Sequence, residues 1–396
     1  MKMKNTIARI RHRAETFLWK VKGYPFVRNV NRADERALAK RALLVYLVKP
    51  FLVKDGDPVF LWHQNLKQCK QIAAILGEFG YAVDAADSRD GRFRPGRKYD
   101  LIISHRLQLS YGERLPDPEA KKIYLATGMN HKVHNQNILR RYRDLFQRRG
   151  CKLTVRQMND DRMPFLSSAD ALVGFGNDFT INSWRDVFPG PRYSLNNYGF
   201  QGTIVHSNPK EFSNARKNFL FFASGSQVGK GLDLLLEIFP KHPDLHLHVC
   251  SHYEKERDFR RCYHRELFRQ PNIHPVGFVG INSRKFSDVA RKCAFLIYPS
   301  CAEGQSGAVV QGMHSGLIPL ATREAGIDME DFGILLPGDS LEEIEKTALA
   351  AARMPVEECR RRSARTRDVA LVKYGEAQFA KRWRQIIADI LKTEPA

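Results

Sequence analysis

Tyr298-Pro299-Ser300-Cys301-Ala302-Glu303-Gly304-Gln305-Ser306-Gly307, continued from Ala308 to Pro319 as AVVQGMHSGLIP, decides how this chain is read. An apolar run, Ala294 to Tyr298, leads into a glycine-bearing loop, then a short helical pattern ending near Gly316, and a new apolar run begins at Ile318. Short apolar runs bounded by turn signals are buried strands, so the unit is strand, loop, helix, strand. Glu303 stands in the loop just ahead of the helix. The first N–H groups of a helix lack partners within it, and the dipole there favours anions. A carboxylate beside such a start can hold hydroxyl groups while the amides hold phosphates, a combination that suits a sugar nucleotide. Taken alone, the stretch fits an ordinary strand-to-helix turn with a solvated glutamate equally well.

The same alternation runs outward in both directions. Strands are expected at Leu43 to Val48, Tyr81 to Ala85, Asp100 to Ser104, Ile123 to Ala126 and Ala171 to Phe175, with helices at Lys67 to Phe79 and Asn137 to Arg149. Polar residues around 199–217, with Asn208-Pro209 inside, read as a linker. Strands then resume at Asn218 to Ala223, Leu245 to Cys250 and Pro275 to Val279, with helices at Leu232 to Phe239 and Glu254 to Phe268, and a mostly helical end from Ser340 to Leu391. This is an α/β chain of two doubly wound, parallel-sheet domains facing a cleft. The expected domains are 1–205, 206–374, and a C-terminal helix from 375 to 396.

Ahead of the helix at Leu232 lies Ala223-Ser224-Gly225-Ser226-Gln227-Val228-Gly229-Lys230-Gly231. It is not a Walker A loop, which would need Gly at 224 and Ser or Thr at 231. It is a glycine-rich loop after a strand, whose backbone can approach a phosphate and whose Lys230 can neutralise one.

Together the two constellations resemble the retaining glycosyltransferases of family four, of GT-B architecture. There a G-R-x-x-x-x-K-G-x-x-x-L-L-x-A-F segment precedes E-G-x-x-x-x-x-x-E-A-M-x-x-G-x-P; this chain has SGSQVGKGLDLLLEIF and EGQSGAVVQGMHSGLIP. The resemblance spans residues 218–322. It implies that Lys230 binds the donor diphosphate, that Glu303 holds sugar hydroxyls near the anomeric carbon, and that the amides of Gly304, Gln305, Ser306 and Gly307 cradle phosphate. It also implies a C-terminal helix crossing back to the first domain. Two positions depart from the pattern. The family arginine five residues before the lysine is Gly225, so phosphate charge must be met by other basic residues. The second glutamate, which in the family binds the ribose diol, is Gln311, which keeps hydrogen bonding and loses the charge.

Family members carry a histidine after an N-terminal-domain strand, near the reacting sugar. His131 follows the run Ile123 to Ala126 and is the candidate, with His134 second and His63 and His105 weaker. Ser251 and His252 fall at the carboxyl end of a strand, where ligands of such sheets bind. His246, His248, Cys250 and His252 share one face of that strand but stretch over ~20 Å, too far for one tetrahedral ion. No metal site and no cofactor is expected.

The formal net charge of +21 calls for anionic company. No aromatic ladder or groove-reading motif accompanies the arginine clusters 140–149 and 360–367, which argues against nucleic acid and reads them as solvated faces. Residues 1–32 interleave Lys and Arg with Phe17, Leu18, Trp19 and Val21. They suit either a helix packed on the domain or one lying on an anionic membrane surface. Seven cysteines without a C-x-x-C pair argue against a disulfide framework and for a reducing compartment. No apolar run is long enough to span a bilayer. The expected protein is cytoplasmic, at most peripheral on the inner membrane face. The expected partners are a nucleotide-sugar donor and a glycan or lipid-linked acceptor. The expected role lies in cell-envelope or exopolysaccharide assembly. A non-catalytic scaffold that keeps the fold, and a sugar-nucleotide epimerase of GT-B form, remain as alternatives.

Overall fold

The computed structural model describes residues 12, 14–34, 40–105, 119–163, 165–200 and 210–393. Strands β1 (Lys40–Tyr46), β2 (Tyr81–Asp87), β3 (Leu101–Ser104), β4 (Lys121–Ala126), β5 (Ala171–Phe175) and β6 (Arg192–Leu195) form one sheet in the order β2-β1-β3-β4-β5-β6. Strands β7 (Asn218–Phe222), β8 (His246–Cys250), β9 (Ile273–Pro275), β10 (Phe295–Tyr298), β11 (Ile318–Ala321) and β12 (Ile334–Leu335) form a second, ordered β12-β11-β10-β7-β8-β9. Every pairing within the two sheets is parallel. Parallel strands need crossovers that cover both faces, which is why β3, β5 and β10 are buried along their whole length.

The helices are α1 (14–22), α2 (Gln64–Glu78), α3 (His131–Arg149), α4 (Asp178–Asn182), α5 (Phe212–Ala215), α6 (Leu232–Ile238), α7 (Arg257–Cys262), α8 (His264–Arg269), α9 (Arg284–Lys292), α10 (Gly307–His314), α11 (Leu341–Ala352), α12 (Val356–Lys373) and α13 (Glu376–Leu391). α13 packs Phe379, Trp383, Ile386, Ile387 and Ile390 into the core of the first sheet, and Arg384 grips Glu78 of α2 at 2.5 and 2.7 Å.

The sequence expectations differ from the structure at three places. The helix expected over 254–268 is broken into α7 and α8 because Tyr263 turns fully inward and donates to Glu237 Oε1 at 2.7 Å. The strand expected at 275–279 comes earlier, as β9, and Gly277 at φ 80° takes the chain out of it. β6 was not anticipated; it is a short edge strand, only partly buried. The linker's Asn208-Pro209 and the 205/206 boundary lie outside the described residues.

Two readings are corrected. Apart from the exposed Arg143, the arginines of α3 are not a solvated face. α3 follows β4 of the first sheet, yet its Ile138, Tyr142 and Leu145 belong to the core of the second. Arg148 donates to Asp233 at 2.9 Å and Glu237 at 3.2 Å, and Arg149 to Glu266 at 2.8 Å. Nor are the cysteines all unpaired. Cys151, just past α3, is joined in a disulfide to Cys262 at the end of α7, 111 residues away, while the other five are free and buried. A pairing between two domains leaves no local spacing signal.

Trp383 has no exposed surface. Trp383→Ala is expected to lower unfolding stability by about 3–5 kcal/mol, the usual cost of an aromatic cavity, read as a lower urea midpoint.

Candidate functional site

Strand order explains why two distant motifs meet. The second sheet reverses direction between β7 and β10, which pair through Phe219–Phe295 and Leu220–Leu296. The loops leaving their carboxyl ends are Ala223 to Gly231 and Pro299 to Ser306. In such sheets the crevice beyond the strand ends opens at this reversal. Gly231 makes the approach possible: it sits at φ 83°, and a Cβ there would lie 2.4 Å from Pro299 O. The Glu303 loop in turn presses on the first domain. Met129 N donates to Glu303 O at 2.9 Å, and a Cβ on Gly304 would lie 2.5 Å from Gly128 Cα.

Between the domains lies a cleft of about 600 Å³. From the second domain it is lined by Lys230, Tyr298, Glu303, Gln305, Ser306, Gly307 and Gln311, and from the first by Tyr46, His63, Gln64, Thr127 and Asn197. Lys230 Nζ and Glu303 Oε1 form an ion pair, and Tyr298 donates to the same carboxylate oxygen at 2.7 Å. Burial draws the Lys230 pKa down, to about 7, and the Glu303 carboxylate in contact opposes that by favouring the ammonium. Ser306 caps α10, accepting from Val309 N at 3.4 Å, and Gly307 and Ala308 open onto the cleft. A cation, a carboxylate and a helix start therefore share one open space, which is what a diphosphate joined to a polyol requires.

Six residues expected at the donor site line this cleft, namely Lys230, Glu303, Gln305, Ser306, Gly307 and Gln311; Gly225, Gly304 and Ser251 do not. Ser251 is fully buried. His131 is not among the lining residues either. It is the first residue of α3, its ring bonded to Asp160 O and set edge-on to Trp184. His134 likewise bonds Gln157 O, at 2.7 Å, and both hold the coil after α3 instead of facing a sugar. Of the histidines weighed, His63 and His252 do line the cleft. His63 caps α2, accepting from Asn65 N at 3.3 Å, and the surrounding protein lowers its pKa. His105 stands behind the cleft, 3.4 Å from the Thr127 hydroxyl. His246 and His248 stack instead on His274 of β9, and no group of metal-holding side chains occurs among the described residues.

The two glutamines act differently from the pattern. Gln311 Oε1 accepts from Phe200 N at 2.9 Å and its Nε2 donates to Phe200 O at 3.0 Å. Gln305 accepts from Asn197 N and donates to Asn196 Oδ1 and Gly326 O. Both amides are thus spent on the segment that leads out of the first domain. A glutamate at 311 would accept from Phe200 N but meet Phe200 O with a second acceptor, so the amide is the side chain that fits.

Residues 216–353 match the model described as glycosyl transferases group 1. That match spans 138 of the chain's 396 residues. No curated protein sequence matches the chain significantly. Among solved structures, sucrose-phosphate synthase from Thermosynechococcus elongatus is 12% identical, with 89% of this chain and 100% of that one covered and a TM-score of 0.57. HepE from Anabaena, solved in complex with UDP-glucose, is 12% identical over 88% of this chain and 99% of that one, with a TM-score of 0.55. Against TarM from S. aureus the chain spans 55% of that protein's length, at 13% identity and a TM-score of 0.49, too low to carry an argument. The first two likenesses show the fold, a pair of α/β domains in the GT-B arrangement. No helix among the described residues is long and apolar enough to cross a membrane.

Two outcomes follow for the two domains. Gln311→Glu is expected to destabilise the folded chain by about 1–3 kcal/mol, the cost of an unsatisfied buried acceptor, read by urea unfolding. Burial also lowers the His134 pKa to about 4. An imidazole held neutral when folded binds fewer protons than when unfolded, so stability is full above about pH 6.5 and falls as pH drops towards 4. His134→Gln, which keeps a donor for Gln157 O, should flatten that slope in melting curves taken across the range.

Proposed function

We propose that the protein transfers a glycosyl group from a nucleotide-diphosphate sugar to an acceptor hydroxyl, with retention at the anomeric carbon. The observation that carries this reading is the meeting of Lys230 and Glu303, from the loops at the sheet's reversal, in a cleft walled by both domains. In the transfer, the bond from the anomeric carbon to the diphosphate breaks with its electron pair going to the diphosphate. The acceptor oxygen bonds the same carbon and passes its proton to the departing diphosphate oxygen. Lys230 and the start of α10 meet the developing charge on the leaving diphosphate, where other glycosyltransferases place a metal. Glu303, released from Lys230 as the diphosphate arrives, holds sugar hydroxyls. No cofactor is required by this scheme. HepE, solved with UDP-glucose, supports a nucleotide-sugar donor by likeness of fold.

A glycan or lipid-linked acceptor at the inner face of a membrane fits the charge of +21 and the exposed Phe17, Leu18 and Val21 of α1 beside Lys20 and Lys22. The reading extends to cell-envelope or exopolysaccharide assembly in the cytoplasm, as the family resemblance implies. A non-catalytic scaffold is the second reading, favoured by Gly225 and by the engagement of Gln311 with Phe200.

Calorimetry with UDP, GDP, ADP and CMP, without added metal, separates the two. One nucleoside diphosphate is expected to bind, and Lys230→Ala to weaken it by roughly ten- to a hundredfold, the worth of a charged hydrogen bond. Glu303→Gln should then keep nucleoside diphosphate affinity and lose turnover of the matching sugar donor. Binding of none of the four by folded protein would sink the transferase reading and leave the scaffold.

A further inference from the structure

A nucleoside diphosphate carries more charge than one lysine neutralises, and the family's arginine is absent at Gly225. A Cβ at 225 would stand 3.6 Å from Glu256 Oε1. That carboxylate already accepts from the amides of Ser226 at 2.6 Å and Gln227 at 3.3 Å, so an acidic group occupies this side of the glycine-rich loop. Arg156 comes across from the first domain to 3.8 Å from Glu256, but it is committed to Asp258 at 2.5 Å. Among the described residues, the cation left facing the ligand space is Lys255.

Lys255 lines the same cleft as Lys230. Its ammonium lies 3.2 Å from His252 Nε2, a ring nitrogen and not a carboxylate, so that contact leaves its charge uncancelled. The His252 ring lies flat on Phe278, with centroids 3.9 Å apart and planes 6° from parallel. The His252 N–H donates to Ser224 O at 2.8 Å, which fastens this loop to the glycine-rich one. Lys255 is therefore held beside the vacant arginine position by a bonded loop and a stacked ring.

We propose that Lys255 is the second cation of the donor site and contacts the diphosphate of the bound nucleotide, with His252 steering it. This rests on the donor-site reading above. The test compares the diphosphate that binds with its unphosphorylated nucleoside, by calorimetry and ligand-observed NMR, in Lys255→Ala, Lys255→Arg and Lys230→Ala. Lys255→Ala is expected to weaken the diphosphate roughly ten- to a hundredfold, to leave the nucleoside unchanged, and to shallow the salt dependence; Lys255→Arg should restore most of the affinity. Because Lys255 is exposed, its variants should melt with the wild type. Equal weakening of nucleoside and diphosphate would mean that the side chain acts on the base or on loop shape, and overturns the proposal. Unchanged diphosphate affinity in Lys255→Ala, with Lys230→Ala defective, overturns it too and leaves the donor site standing. No diphosphate binding by the wild type removes both.

Discussion

The docking of α3 into the second domain is the constraint on which the cleft depends. Arg141 is almost wholly buried, and its guanidinium donates to Pro299 O at 2.9 Å and to Asp339 at 3.0 Å. One turn earlier, Asn137 donates to Cys301 O at 2.9 Å. Both acceptors belong to the backbone that carries Glu303. A helix of the first domain thus fixes the shape of the second domain's Glu303 loop. Burying a guanidinium is costly unless it is fully paired, and withdrawing α3 would strand Asp233 and Asp339 as well. Burial already lifts the Asp233 pKa to about 6 against the pull of Arg141 and Arg148. The charge cluster therefore holds the two domains in one particular arrangement more than it adds net stability.

That arrangement gives the sheet reversal its meaning. The crevice at β7 and β10 would exist in an isolated second domain, but it would be an open groove. The backbone contact of Gly128 with Gly304 and the line of Asn197 against Gln305 close its far wall. The first domain contributes to the cleft through β1, α2 and β4, whose ends supply Tyr46, Gln64 and Thr127.

Much of this was legible in the sequence because it depends on local period and spacing. Buried strands announce themselves as apolar runs, and the two glycine-bearing loops sit at strand ends, so the fold and Lys230, Glu303 and Ser306 could be named without coordinates. What was not legible depends on partners far away in the chain. Arginines at 140–149 look like a solvated face until Asp233, Glu237 and Asp339 are brought to them. His131 follows a strand, as a cleft histidine would, but Asn130 caps a helix at that point, accepting from Lys132 N at 2.8 Å, and turns the ring towards Asp160. His252 could be placed at a strand's carboxyl end, but Lys255 had no pattern to single it out, since its position comes from the loop bond between His252 and Ser224.

Gln311 shows most plainly how a family pattern can locate a residue and still misstate its work. Spacing puts it one turn into α10, on the face towards the cleft, where a glutamate would reach a ribose. In this chain the neighbouring strand of backbone passes closer, and Phe200 offers both an N–H and a C=O. A carboxylate can answer only the first; a carboxamide answers both. The exchange of Glu for Gln is therefore a consequence of how the first domain exits towards the second, and need not mark a decayed site. It leaves Phe278, His252 and Lys255 as further second-domain residues of the cleft beside α10.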